Sequence, residues 1–272
     1  MSLPATFERL RRAHRKALIP FIMGGDPRPT ITASLLLALA DAGADVLEVG
    51  IPFSDPLADG PTIQRASQRA LHAGTTPEAV LDIVGMVVRR TAVPVVLLSY
   101  WNPIFRYGAG HAQAGDPERF VLAARRSGVS GIIVPDLPPE EAGPFRRAAA
   151  QAGLSTIFLA APTSPPQRLR MIARAAEGFI YYVSVTGTTG ARDRLPGEWL
   201  RGVRQLKRLT DKPVCVGFGI STPAQAAAVA RVADGVIIGS ALIRALEPSL
   251  SSPRQAVKRA SAFARQLRSA FR

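Results

Sequence analysis

The sequence predicts an α/β chain folded as a single (β/α)8 barrel of the TIM type, with extra helices at the N-terminus and in the loops. Three observations predict it. Eight short β-branched apolar runs alternate with longer amphipathic stretches, and strands that alternate with helices imply a parallel sheet. The runs are too apolar for strands with one wet face, which suits a sheet covered on both sides. Eight such units in 272 residues match a closed barrel better than a doubly wound sheet. No low-complexity tract or linker divides the chain, so residues 1–272 read as one domain.

The strand candidates are 18–23, 45–49, 95–100, 131–134, 156–159, 179–184, 214–216 and 235–238. Helical patterns lie between them at 30–42, 61–73 followed by 77–90, 117–127, 139–152, 165–176, 197–209 and 223–233. Several open on proline behind a short polar cap: Thr76-Pro77, Asp116-Pro117, Ser164-Pro165 and Thr222-Pro223. The cap oxygen accepts from an orphan amide of the first turn, where proline's missing N–H has no helical partner to lose. Glycine follows many of the helices, at Gly43, Gly74, Gly128, Gly153 and Gly178, as left-handed helix ends favour. The last segment, 253–272, reads as a basic amphipathic helix with Val257, Phe263, Ala264 and Leu267 towards the body.

Composition narrows the function classes. Hydrophobic residues make up 47% of the chain, enough for a sizeable core, yet no run approaches the ~18 apolar residues of a membrane span. The stretch 31–40 is too short, and Thr32 and Ser34 interrupt it. The N-terminal segment lacks the apolar centre of a secretory signal. The one cysteine, Cys215, lies in an apolar run and reads as a small buried hydrophobe; an intrachain disulfide framework is excluded and a reducing cytoplasm is expected. The net charge of +14 comes from 30 Arg and 4 Lys against 20 acids, in scattered pairs such as Arg11-Arg12, Arg89-Arg90, Arg125-Arg126 and Arg146-Arg147. Aromatic residues do not interleave with these pairs as in a single-strand binding platform. The charge therefore reads first as a solvated surface, then as attraction to an acidic partner or phosphate, with specific nucleic-acid binding last.

Chemistry in such a barrel gathers at the carboxyl ends of the strands. The second strand holds Glu48 in an apolar run, where an unused charge is costly. A single such acid is as readily a structural ion pair as a catalytic group. Here a loop stiffened by Pro52, Pro56 and Pro61 follows and carries Asp55 and Asp59, which shifts the reading towards an acid/base site. The late loops combine glycine with small hydroxyl residues, at Gly190, Gly217, Gly219, Gly239 and Ser240. Their backbone N–H groups, with a short helix starting at Ser240, would surround an anion where barrels often bind phosphate. Tight βα turns need glycine anyway, so the coincidence of Gly-Phe-Gly and Gly-Ser on adjacent strands carries this reading. Phe21, Tyr100 and Ile63 would supply an apolar pocket. None of Lys16, Lys207, Lys212 and Lys258 falls at a strand's carboxyl end, against a Schiff-base aldolase or a pyridoxal enzyme. His14, His72 and His111 are scattered, no His/Asp/Glu cluster has metal-site spacing, and no metal is expected.

Residues 48–64, EVGIPFSDPLADGPTIQ, strongly resemble the signature of the tryptophan synthase α-subunit family. The resemblance continues in order through Pro20-Phe21, Gly25-Asp26-Pro27, SYWNPI at 99–104, PDLP at 135–138, YVS at 182–184, TGAR at 189–192, VGFGI at 216–220 and GSA at 239–241. It implies cleavage of indole-3-glycerol phosphate to indole and glyceraldehyde 3-phosphate. It also implies that indole passes to a β subunit, in which pyridoxal phosphate joins it to serine to give L-tryptophan. No cofactor is then expected in this chain, and an α2β2 heterotetramer in the cytoplasm is expected. The family's catalytic acids fall on Glu48 and Asp59, and its phosphate-binding loops on Gly190, Gly217, Gly219, Gly239 and Ser240. The loops 52–60 and 187–195 would meet the β subunit.

Under this resemblance Glu48, between apolar neighbours, should have a raised pKa and act as both acid and base. Asp59 should stay ionised in a mobile loop and hydrogen-bond the indole N–H. Phe21 and Tyr100 join the substrate-binding set. Tyr181 or Tyr182 would orient the substrate; the sequence leaves open which ring faces inward, and Tyr181 is the one placed in that set. Thr189 would help close the sixth-strand loop by bonding the Asp59 loop. Thr188 stands where an apolar residue is common, and the basic C-terminal segment has no assigned role.

Three alternatives share part of the pattern. A stand-alone lyase of the same family would use the same residues and release free indole without a partner. A phosphosugar isomerase on a similar barrel would leave the acidic, proline-rich loop unexplained. An RNA-binding or regulatory role would rest on the charge alone, and nonspecific binding of that kind is lost by ~0.2 M salt.

Overall fold

The computed structural model describes residues 2–109, 115–183, 198–217 and 219–271. The chain opens with α1 (Leu3–Arg12), then runs β1 (Ala17–Met23), α2 (Pro29–Asp41), β2 (Leu47–Gly50), α3 (Pro61–His72), α4 (Pro77–Val88), β3 (Val95–Leu98), α5 (Trp101–Phe105) and α6 (Pro117–Arg126). It continues with β4 (Gly131–Ile133), α7 (Gly143–Gln151), β5 (Ser155–Ile157), β6 (Leu159–Ala160), α8 (Pro166–Ala175), β7 (Ile180–Val183), α9 (Glu198–Leu209) and β8 (Val214–Gly217). It ends with α10 (Pro223–Ala230), β9 (Gly235–Ile238), α11 (Ser240–Leu246) and α12 (Pro253–Ser269).

Every ladder between these strands is parallel, in the order β5-β4-β3-β2-β1-β9-β8-β7-β6. β5 and β6 are two halves of one stave, parted at Phe158. β5 pairs with β4 through Ile132 and Thr156, while β6 pairs with β7 through Leu159 and Tyr181. The Phe158 carbonyl accepts the Tyr181 N–H at 3.1 Å, so this bent stave closes the ring. The eight predicted strands are thus the eight staves of a barrel, the fifth written as two.

Side chains alternate across the staves. Ile19, Val46, Val96, Ile133, Tyr181, Cys215 and Ile237 fill the barrel, and Leu18, Leu47, Leu97, Tyr182 and Val216 pack outward against the helices. The floor is closed by α1. Its Leu3, Phe7 and Leu10 form a helical stripe that joins the interior cluster, with the Phe7 and Phe179 rings 5.6 Å apart. Burying each of these contributes roughly 1.5–3 kcal/mol.

Several boundaries move for identifiable reasons. The third strand ends at Leu98 rather than residue 100, because Tyr100 is already the N-cap of α5. The helix expected over 139–152 begins at Gly143. The Pro138 carbonyl accepts from the amides of Glu141 and Ala142 in a turn, and Pro144 then enters the first helical turn. The strand expected from residue 45 begins at Leu47, and Asp45 serves another purpose. Its carboxylate accepts the Leu18 N–H at 2.9 Å and pairs with Arg268 of α12. The same guanidinium donates to the carbonyls of Gly43 at 3.1 Å and Lys16 at 2.9 Å. Ala256, Ala260, Ala264 and Leu267 bury the other face of α12, with Val257 and Phe263 at its margin. The basic C-terminal segment therefore has a structural role: Arg268 ties it to the foot of the barrel. No described helix is long and apolar enough to cross a membrane.

Candidate active site

The parallel register sets Glu48 of β2 beside Phe21 of β1 on one side and Val96 of β3 on the other. The side chain is 1% exposed, and its Oε2 has no hydrogen-bond partner among the described residues. Burial, and then the charge of Asp59, push its carboxyl up to about 8.

Asp59 reaches the same space from the loop between β2 and α3. That loop is tied down at several points. Ser67 of α3 accepts the Phe53 N–H and donates to the Phe53 carbonyl, both at 2.9 Å. The Gln64 amide donates to the Asp59 carbonyl at 2.9 Å, and the Asp59 N–H donates to Pro56 at 3.0 Å. The Tyr100 hydroxyl accepts the Ala58 N–H at 2.8 Å and donates to the Asp59 carboxylate. Asp59 is consequently 8% exposed in a loop held by these bonds. Burial pushes its carboxyl up to about 6, against the hold of the Tyr100 hydroxyl.

A narrow cleft lies between these acids and the late loops. Of the predicted residues, Phe21, Glu48, Asp59, Ile63, Tyr181, Gly219, Gly239 and Ser240 line it. Tyr181 is the inward ring; Tyr182 packs outward, where a Cβ on Gly202 would meet its hydroxyl at 2.0 Å. Gly217 is not among the lining residues. It makes room for Tyr181, since a Cβ there would lie 2.5 Å from that hydroxyl. Tyr100 does not line the cleft either; it acts on the site through Ala58 and Asp59. Thr189 and Gly190 lie outside the described residues, as do Thr188, His111 and the whole of the loop 187–195.

Sequence reasoning missed Leu98, Ile220, Ile237, Ala241 and Arg244, which also line the cleft. Leu98 and Ile237 follow from period-two counting, two residues on from Val96 and two before Gly239. Arg244 follows from counting one helical turn beyond Ser240. At the rim, Arg69 of α3 grips Asp26 with bonds of 2.6 and 2.8 Å, and Arg65 reaches Glu247 after α11 at 3.2 Å. These pairs join α3 to the first loop and to the end of α11. Asp136 caps α5 by accepting the Trp101 N–H at 2.8 Å. Among the described residues no group of three or more His, Cys, Asp or Glu side chains is placed to hold a metal ion.

A family model described as Tryptophan synthase alpha chain matches residues 7–272. The chain belongs to the tryptophan synthase alpha chain family. It is 50% identical over 242 residues to the Tryptophan synthase alpha chain of Geotalea daltonii, covering 89% of each chain. Among solved structures it resembles tryptophan synthase subunit alpha from Legionella pneumophila with a TM-score of 0.88 and 38% identity, covering 99% of this chain and 98% of that one. It also resembles tryptophan synthase from M. tuberculosis in its aminoacrylate-bound form, with a TM-score of 0.86 and 35% identity over 100% of both chains. The fold of this family is the closed parallel barrel described above.

Proposed function

We infer that the chain catalyses the reaction of its family's α subunit, the cleavage of indole-3-glycerol phosphate to indole and glyceraldehyde 3-phosphate. One observation supports the assignment of roles most strongly. Two carboxyls facing one cleft are pushed to different pKa values, about 8 for Glu48 and about 6 for Asp59. At pH 7 roughly nine-tenths of Glu48 is then protonated and roughly nine-tenths of Asp59 ionised. Environments that separate two acids in this way assign one as proton donor and the other as charge stabiliser.

The reaction is a retro-aldol step. Glu48 delivers its proton to indole C3, and positive charge develops on the ring. Asp59 accepts the indole N–H and stabilises that charge. Glu48, now a carboxylate, takes the proton from the hydroxyl next to C3. The bond between C3 and the glycerol carbon breaks, leaving indole and an aldehyde, and Glu48 is again protonated. Tyr181 and Phe21 would hold the indole. Backbone groups at Gly219, Gly239 and Ser240, with Gly190 and Gly217 from the wider set, would hold the phosphate and supply remote positioning energy. Tyr100 would position Asp59, and Thr189 would help close the site.

We propose that the whole chain is one barrel domain that works in the cytoplasm without a cofactor of its own. Its partner would be a pyridoxal-phosphate β subunit in an α2β2 assembly, contacted through the loops 52–60 and 187–195. Leu57, 93% exposed on the first of these, offers an apolar side chain for that contact. The test is indole release from indole-3-glycerol phosphate by the purified chain, alone and with a β subunit. Low activity that rises many-fold with the partner is expected; high activity indifferent to the partner would mark a stand-alone lyase, and no indole would overturn the reading. Glu48→Gln and Asp59→Asn should each remove most of the activity with the fold intact, and near-normal turnover in either would overturn its role.

A further inference from the structure

The phosphate site read from the glycines is made of backbone groups. The cleft also contains the Asp59 carboxylate, so a phosphate entering it gains from a positive counter-charge. The helix that begins at Ser240 is only seven residues long and supplies little of that charge. Among the described residues lining the cleft, Arg244 is the one cation. It stands four residues after Ser240, on the same face of α11, and helical side chains lean towards the N-terminus of their helix. Arg244 is half-buried, and no hydrogen bond or ion pair links it to a described residue. Other cations near α11 are engaged: Arg65 with Glu247 at 3.2 Å, and Arg69 with Asp26 at 2.6 Å. A half-buried guanidinium with no carboxylate partner among the described residues, lining a cleft beside Gly239 and Ser240, is placed for an anion that arrives from solution.

We infer that Arg244 is a substrate-binding residue that grips the phosphate of the substrate and selects phosphorylated ligands over unphosphorylated ones. This rests on the reading of the cleft as the site of a phosphorylated indole substrate. Removing one charge-assisted contact of this kind weakens binding roughly 10- to 100-fold.

The test uses full-length wild type, Arg244→Gln and Arg244→Lys, with glycerol 3-phosphate and indole as separate calorimetric probes. Arg244→Gln should raise the Kd for glycerol 3-phosphate about 10- to 100-fold and change that for indole less than about twofold. In turnover, KM for indole-3-glycerol phosphate should rise by a similar factor while kcat stays within about threefold. Arg244→Lys should recover part of the lost affinity, because an ammonium still binds phosphate as a point charge. Unchanged glycerol 3-phosphate affinity in Arg244→Gln, an equal loss for both probes, or a lysine variant no better than glutamine would overturn the inference. Turnover by the wild type separates the two readings: absence of indole release there would sink the proposed activity whatever Arg244 does. Normal turnover with an unchanged KM in Arg244→Gln would sink only the role of Arg244.

Discussion

If burial holds the Glu48 proton, replacing the carboxyl by an uncharged amide should change how stability depends on pH. The folded-state pKa is about 8, against an ordinary value of 4.5. The folded protein therefore binds this proton more tightly than the unfolded chain. Its contribution is fully present below about pH 4.5 and is lost as pH rises through 8. With those two values, wild type should lose about 2.5 kcal/mol relative to Glu48→Gln between pH 5.5 and 7.5, close to 1.4 kcal/mol per pH unit until the upper value is neared. The assay is urea unfolding of both proteins at half-unit pH steps from 5 to 9, read as the difference in free energy. All other groups titrate in both proteins and largely cancel, Asp59 included. Parallel curves, or a wild type that gains stability relative to Glu48→Gln with rising pH, would refute the claim that a dry environment sets the acid.

The remaining predictions concern the anchors of the site and of the barrel. Tyr100→Phe removes the hydroxyl that joins the Ala58 amide to Asp59, so kcat should fall about tenfold. Asp59 loses a bond that favours its ionised form, so the acidic limb of the kcat profile should move to higher pH; a limb that stays in place contradicts the link. Arg268→Met strands the buried Asp45 and should cost about 3 kcal/mol in urea unfolding. Arg9 and Arg15, at 3.9 and 4.0 Å from Asp45, keep the loss at the low end; a loss below ~1 kcal/mol would show that they suffice. Ser240→Asp sets a negative charge against the phosphate and should raise KM at least about tenfold, with an unchanged KM placing the phosphate elsewhere.

The barrel was legible because its pattern is local. Apolar runs, proline-opened helices and glycine ends recur at short range, and each announces an element without reference to the rest of the chain. What needed the structure is where one element serves two neighbours. The bend at Phe158 is a case: its run reads as one strand, yet its first half pairs with β4 and its second half with β7. The turn at Pro138 is another, since a proline pair reads equally well as a helix start or as the turn before one. The site was legible where residues stand at strand ends. Tyr100 reads in the sequence as part of an apolar pocket, from its place at the end of the third strand. The structure adds what the sequence could not show: its hydroxyl accepts an amide proton from Ala58, 42 residues away.

Asp45 and Glu48 show why chemistry cannot be read from an acid alone. They are three residues apart, both in an apolar stretch, and both are buried, at 5% and 1% exposure. By sequence Glu48, inside the apolar run, is the candidate acid, and Asp45 stands just before that run. Asp45 is fully answered: a backbone N–H and a guanidinium meet its carboxylate, the latter from 223 residues away. Such partners fix a carboxylate in place, which suits a joint between elements. Glu48 is unanswered, with an oxygen that meets no hydrogen-bond donor among the described residues and a second acid across the cleft. A buried carboxyl left in that state keeps its proton at neutral pH, with no hydrogen-bond partner for that oxygen among the described residues. On the proposed mechanism its acceptor is a carbon base, indole C3, that arrives with the substrate, and the same lack of partners that weakens the fold as pH rises would leave the proton free for transfer.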